Sequence, residues 1–302
     1  MGAQLRRIRG RIRSVTSTAK ITRAQELIAS SRVGRARDRA AAAEPYAREI
    51  SRAVTVLVSH RMRMDHPLLD ERPDASRVAV LLLTSDRGFA GGFNGNVLRQ
   101  EQALSGLLEG QGKRPVHYVA GRKGVDWFRF RGRPVAGQWT GVSGAPDYAT
   151  AAEIGRTLIE AFDTPTGEGG VGEVHVVYTR FVSMLAQRVT VTRILPLVVE
   201  EELARSWPEG RAPLLAPYEF DPSPEEILDR LLRTYVRSRL WHMLLSSAAS
   251  EHAARRAAMM AATENAHELI ERLTREANEA RQAEITTEIS EIVGGAEALR
   301  HS

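Results

Sequence analysis

From Ile8 to Leu57, apolar and small residues return at alternating spacings of four and three. The series is Ile8, Ile12, Val15, Ala19, Thr22, Glu26, Ala29, Val33, Ala36, Ala40, Ala43, Ala47, Ile50, Val54 and Leu57. A heptad repeat held this long predicts a coiled-coil helix rather than one packed into a globule. The middle of the seam is mostly alanine, which lets a partner helix come close. Pro45 falls inside the pattern and, lacking an N–H, is expected to kink the helix or leave one carbonyl unpaired. Over residues 3–59 such a helix is roughly 85 Å long at ~1.5 Å per residue.

Its expected partner lies at the other terminus. After Pro224 no proline occurs as far as Ala298, and glycine appears only at Gly294 and Gly295. Asp221 or Ser223 can cap the start, with Pro224 in the first turn and Glu225 and Glu226 beside the helix dipole. The seam is looser here: Leu228, Leu231, Tyr235, Leu245, Ala249, Met259, Ala266, Ile270 and Leu273. His242, His252 and Arg256 share that register, so the contacting face is expected to drift. At ~1.5 Å per residue this helix is on the order of 110 Å, longer than its mate.

Between the two helices the texture changes. Ser76–Thr84, Pro115–Ala120, Glu173–Thr179 and Arg188–Leu195 read as strands, with Phe93–Leu108 and Ala149–Phe162 as helices. Strands alternating with helices predict an α/β layer structure. The fold class expected is therefore α/β: a long antiparallel coiled coil of the terminal helices plus a central Rossmann-like α/β domain. The coiled coil is assigned to residues 1–60 and 221–302, the α/β domain to 74–215. Asp163–Gly172 (DTPTGEGGVG) has the make-up of a mobile surface loop, and Glu200–Glu202 that of a solvated helix start.

Composition narrows the chemistry. Aromatics are 6% of the 302 residues, which suits helices packing through small aliphatics. There is no cysteine, so disulfides, thiolate metal sites and cysteine nucleophiles are excluded. Of the 42 basic residues only Lys20, Lys113 and Lys123 are lysine, pointing to a bacterial gene of high G+C content. No apolar run approaches the ~20 residues that span a bilayer. The basic, acid-free first twenty residues superficially resemble a transit peptide, but the heptad pattern already running through them favours a mature helix.

Residues 81–96, LLLTSDRGFAGGFNGN, raise the possibility of a phosphate cradle between strand and helix. Gly88, Gly91, Gly92 and Gly95 fit neither G-x-G-x-x-G nor a P-loop, and Asp86 would oppose a phosphate. A tight turn, with glycines allowing positive φ and close packing of helix on sheet, is the favoured reading. The histidines lack metal-ligand spacing, and Ser85–Asp86 has no nearby histidine to act as base. No catalytic residue, cofactor or metal site is expected. Charge says more: residues 1–40 carry eleven basic residues against Glu26 and Asp38. A solvated face, an acidic protein partner and a nucleic acid all fit such a helix, but no aromatic precedes Tyr46 to stack on bases.

The run TSDRGFAGGFNGN resembles the TSDRG-x-x-GG-x-N signature of the γ subunit of F-type ATP synthases. RRIRGRIRSVTSTAKITRAQELIASS resembles that family's opening helix. SEHAARRAAMMAATENAHELI and NEARQAEITTEISEIVGGAEAL resemble its closing helix. The likeness spans nearly the whole chain in order. It implies a central-stalk rotor subunit of the F1Fo ATP synthase that couples proton flow to conformational cycling of the catalytic β subunits, itself non-catalytic. The implied partners are an α3β3 hexamer, the ε subunit and the c-subunit ring, with one copy per complex and contact with membrane only through the ring. The implied location is the cytoplasmic face of a bacterial cell membrane.

The resemblance also implies contact residues. Arg281 and Gln282, followed by Thr286 and Glu288, match the pair that engages a catch loop of β. Ile285, Ile289, Ile292 and Val293 form an apolar tip turning in a sleeve. Gln25 stands where the family usually has Met. Arg32 and Arg35 are assigned to the α and β subunits, whose β members carry an acidic lever. Tyr218 and Glu219, in the YE-x-DP run with Asp221 and Pro222, are implied to meet the c ring. Phe89–Ala90 replaces the common Leu-Cys, and Asp163–Gly172 resembles an insertion in some high-G+C members, expected near the ring or ε. The alternative function is a basic coiled-coil nucleic-acid-binding or scaffold protein.

Overall fold

The structure, a computed structural model, describes residues 2–60, 66–197 and 224–300. Helix α1 spans Gly2–His60 and runs through Pro45. Its buried residues trace the predicted seam: Ile8, Ala19, Thr22, Glu26, Ala29, Val33, Ala36, Ala43, Ile50 and Val54. Pro45 sits on the exposed face, where water can reach the carbonyl that its missing N–H leaves unmatched. No break in helix assignment accompanies it. The burial of Leu57 lies outside what is described.

The central region follows as β1 Arg77–Leu83, α2 Phe93–Gly110, β2 Arg114–Ala120, α3 Arg122–Phe130 and β3 Gly137–Trp139. After these come α4 Tyr148–Asp163, β4 Glu173–Phe181 and β5 Gln187–Leu195, then α5, Pro224–Arg300. The five strands form one sheet in the order β3-β2-β1-β4-β5. All neighbouring pairs are parallel except β4 with β5. α3, β3 and a 3-10 turn at Thr166–Glu168 were not expected from the sequence.

By compactness the chain divides into residues 1–29 with 255–302, and residues 30–254. In the first unit Ile8, Leu273 and Ala277 form an apolar cluster flanked by Leu5, Ile12, Val15, Leu269 and Ala280. Farther along, the hydroxyls of Thr22 and Thr263 meet at 2.7 Å. As α1 numbers rise, the α5 numbers they meet fall, so the helices are antiparallel.

The second unit holds the sheet with a core on each face. Strand side chains alternate: Ala79, Leu81 and Leu83 point into one cluster, and Val78, Val80 and Leu82 into the other. α2 and α3 cover the second face. The first is covered by α4 together with Ile50 and Val54 of α1 and Leu228, Leu232, Tyr235, Val236 and Leu240 of α5. Asp147 caps α4 by accepting the Thr150 N–H at 2.8 Å. The Asp163–Gly172 segment is tied down rather than loose: Arg233 binds the Asp163 carboxylate at 2.8 Å, and Val171 is buried, with its N–H donating to Ala161.

Closest approach of helix to sheet occurs where β2 turns into α3. Gly121 has φ of 101°, and a Cβ there would fall 2.1 Å from the Thr84 carbonyl oxygen. Gly121→Ala is expected to lower stability by about 3 kcal/mol, from backbone strain plus overpacking. Gly95→Ala, facing open space inside α2, is expected to gain about 0.5 kcal/mol. Urea unfolding of the two variants checks the contrast.

At the start of β4, the Glu173 carboxylate takes a bond from His175 Nε2 at 2.7 Å and another from Lys113. The His175 bond above all, with Lys113, outweighs burial and brings the Glu173 pKa to about 2 from an ordinary 4.5. A depressed acid stabilises the fold above its unfolded pKa, and that contribution fades as pH falls from about 4.5 toward 2. Glu173→Gln is expected to cost about 1 kcal/mol at neutral pH after solvent screening, and to flatten the stability profile across that acid window. Denaturant melts at a series of acid pH values read this directly.

Candidate functional site

The glycine loop is a built turn. Of its glycines only Gly91 has positive φ, 54°; Phe89 also does, at 61°, while 79% exposed. The close packing expected of these glycines is found instead at Gly121 and Gly124, because the loop glycines face open space or the ends of side chains. Two amides of the loop are used internally: Ser85 N–H donates to Asn94 Oδ1 at 2.8 Å, and Phe93 N–H to the Ala90 carbonyl.

Asp86 organises three segments. Its carboxylate accepts the N–H groups of Gly141 at 2.8 Å, Ser143 at 2.9 Å and Arg122 at 3.0 Å. Its own N–H donates to Ser143 Oγ at 2.8 Å. Burial raises the carboxyl pKa, but the amides of Ser143, Gly141 and Arg122 prevail and hold it below the ordinary value. Asp86 is therefore a fixed structural anion that fastens the β1 loop to the start of α3 and to the segment after β3.

Beside that fastening lies a cleft of about 580 Å³, wholly within the second unit. One turn-by-turn row of α1, Arg32, Arg35 and Arg39, lines it together with Arg87 and Arg122. Against these five guanidiniums stand the carboxylates of Asp86 and Glu251. Among the described residues, no ion pair or hydrogen bond engages the guanidiniums of Arg32, Arg35, Arg39 or Arg122. The sequence singled out Arg32 and Arg35; Arg39 continues their helix row, and Arg87 and Arg122 join them only because the loops after β1 and β2 reach the same place.

The residues assigned to the far end of α5 lie in the first unit. Arg281, Gln282, Thr286 and Glu288 are all exposed. Ile285, Ile289, Ile292 and Val293 are 45%, 56%, 72% and 54% exposed, an apolar surface without cover among the described residues. Gln25 is exposed on α1, beside a buried Glu26 that Arg23 pairs at 2.8 Å. Tyr218 and Glu219, like Asp221, Pro222 and Glu200–Glu202, lie outside the described residues.

One buried polar group was missed by sequence reasoning. Glu101, Ser105, His117 and Arg133 meet under α2, with Glu101 Oε1 at 2.8 Å from His117 Nε2 and 3.1 Å from Arg133 Nη2. Ser105 Oγ lies 3.3 Å from the same Nε2. A relay needs nucleophile and acid on opposite imidazole nitrogens; here they share one, so the cluster neutralises a buried carboxylate. No group of three or more metal-binding side chains occurs among the described residues.

Comparison with known proteins decides the family. The family model described as ATP synthase matches residues 4–299. A protein of Thermobifida fusca called ATP synthase gamma chain is 53% identical, the match covering 99% of this chain and 97% of that one. One of the same description from Acidothermus cellulolyticus is 55% identical over 99% and 98%. The chain belongs to the ATP synthase gamma-chain family. Its fold is shared with a solved chain of the Euglena gracilis mitochondrial ATP synthase, in an assembly of OSCP, F1 and c-ring. That match has a TM-score of 0.68 at 15% identity, covering 99% of this chain and 95% of the other. A second Euglena structure, described as the rotor, gives 0.62 at 14% identity, covering 94% and 100%. These gamma-chain relatives lend no support to a nucleic-acid-binding reading.

For this family member, the fastening by Asp86 is the feature most open to test. Asp86→Ala strands three amides and is expected to cost about 2 kcal/mol. Hydrogen exchange should then speed up at Arg122, Gly141 and Ser143 while the amides of β4 stay protected.

Proposed function

We infer that the chain is the gamma subunit of an ATP synthase, part of its central stalk, and acts as the rotor without catalysing chemistry. One copy stands in an α3β3 hexamer, with ε and a ring of c subunits at the foot, on the cytoplasmic face of the membrane. Proton flow turns ring and stalk together, and the stalk's uneven surface sets each β subunit's nucleotide affinity in turn. No helix among the described residues is long and apolar enough to cross a membrane, in keeping with contact through the ring alone. The single observation that carries this reading is the antiparallel pairing of the two chain ends with α5 running on past it, apolar and uncovered.

In this reading Arg32 and Arg35 face the acidic lever of β, where guanidinium–carboxylate bonds are charge-assisted. Arg281 and Gln282, with Thr286 and Glu288, take the catch loop. Gln25 meets the lever region with an amide where relatives commonly offer Met. Ile285, Ile289, Ile292 and Val293 turn in the apolar sleeve, and Tyr218 and Glu219 face the c ring.

A tagged chain is expected to bring α, β, ε and the c ring through purification. Replacing Arg281 and Gln282 by Ala in the assembled complex should leave its composition intact and lower ATP synthesis several-fold, roughly the loss of one or two charge-assisted bonds. ATP hydrolysis by the isolated chain, or full synthesis in the double variant, would refute the assignment.

A further inference from the structure

Four of the arginines that line the cleft, Arg32, Arg35, Arg39 and Arg122, have no ion pair among the described residues. Five arginines line a cleft of about 580 Å³, with Asp86 and Glu251 as the acidic residues among the lining. One of those, Asp86, already accepts three backbone N–H groups. Like charges that line one cleft repel one another, and an anion between them lowers that repulsion. One carboxylate from a partner neutralises one guanidinium, whereas a condensed phosphate puts several negative charges into a small volume. Its oxygens also match the two-pronged guanidinium fork.

We propose that the cleft bounded by Arg32, Arg35, Arg39, Arg87 and Arg122 is a binding site for a polyphosphate chain. Its occupant is the phosphate portion of a di- or triphosphate, whether inorganic or the tail of a nucleotide. The site reads no base: apart from His252, no aromatic ring lines it to stack on one. The glycine loop does not hold the phosphate through its amides. The loop supplies Arg87, and Asp86 positions the first residue of α3, Arg122. The cleft shares Arg32 and Arg35 with the surface assigned to the β lever, but its affinity for a small anion is a property of the chain alone and is measured without partners.

The test is calorimetric titration of the full-length chain with sodium tripolyphosphate, ATP, adenosine and citrate at low and moderate salt. Tripolyphosphate and ATP are expected to bind one to one with similar affinity, weakening as salt rises, while adenosine does not bind and citrate binds at least roughly tenfold more weakly. Arg39→Gln with Arg122→Gln should weaken tripolyphosphate roughly tenfold or more. Arg11→Gln with Arg13→Gln, on exposed positions of the other unit, should leave affinity unchanged. Arg39→Gln alone, an exposed helix position, serves if the double variant does not fold. Absence of saturable binding, equal loss in both double variants, or ATP binding far more tightly than tripolyphosphate overturns the proposal. None of these results bears on co-purification with α and β, so the two readings fail separately.

Discussion

The terminal helices are held to the sheet of the second unit by the apolar core that one of its faces shares with them. Leu232, Val236 and Leu240 of α5 are fully buried against the face that carries Ala79, Leu81 and Leu83, and Ile50 and Val54 of α1 enter the same cluster. Each such side chain contributes roughly 1.5–3 kcal/mol by leaving water. Interiors packed to this density do not let one element slide past another. A force on the sheet is therefore felt at once by the helices, with no hinge between them to absorb it. Gly155 shows how tight the fit is: a Cβ there would come within 2.8 Å of the Arg237 side chain. For a subunit that transmits torque, this junction is the requirement that sequence must meet first.

The parts of the fold written in periodicity were legible. Most of the α1 seam could be read from sequence, because a heptad is a local pattern and burial follows it even where Thr22 or Glu26 occupies the position, while Ile12, Val15, Ala40 and Ala47 are only half-buried. β1 was equally plain as an unbroken apolar run, the mark of a strand covered on both faces. α3 was not. RKGVDWFRF has a glycine and charged residues where a helix signal wants aliphatics, and it buries only Gly124, Val125 and Phe128. β3 is three residues long and owes its strand character to pairing with β2. Gly121 and Gly124 drew no notice because their role depends on Thr84, nearly forty positions earlier.

The contact surfaces divide in the same way. Exposure of the Ile285–Val293 face was foreseeable, since it continues the helix after the buried positions end near Ala277. The arginine cleft was only half visible. Arg32, Arg35 and Arg39 share a helix face at spacings of three and four, which sequence displays. Arg87 and Arg122 belong to separate βα loops, and only the sheet order, with β1 beside β2, brings them together. Asp86 was read as an obstacle to anions. Its bonds to three amides turn it into the fastening that places Arg122 at the cleft.

The two kinds of surface on α5 suit opposite demands of a turning subunit. An apolar face such as Ile285, Ile289 and Ile292 makes non-directional contact, so rotation exchanges one patch of covered area for another at nearly constant energy. Exposed isoleucines at 45–72% would be a liability on a free chain, which is why a surrounding sleeve gives them a physical rationale. The catch proposed for Arg281 and Gln282 differs: hydrogen bonds to a partner would demand distance and angle, and be lost when either fails. If the proposed contacts hold, two such surfaces a turn apart on one helix would let the same segment turn smoothly and still register its angle. A bearing made of charged pairs would halt at every one of them, and a catch made only of isoleucine would have nothing to hold.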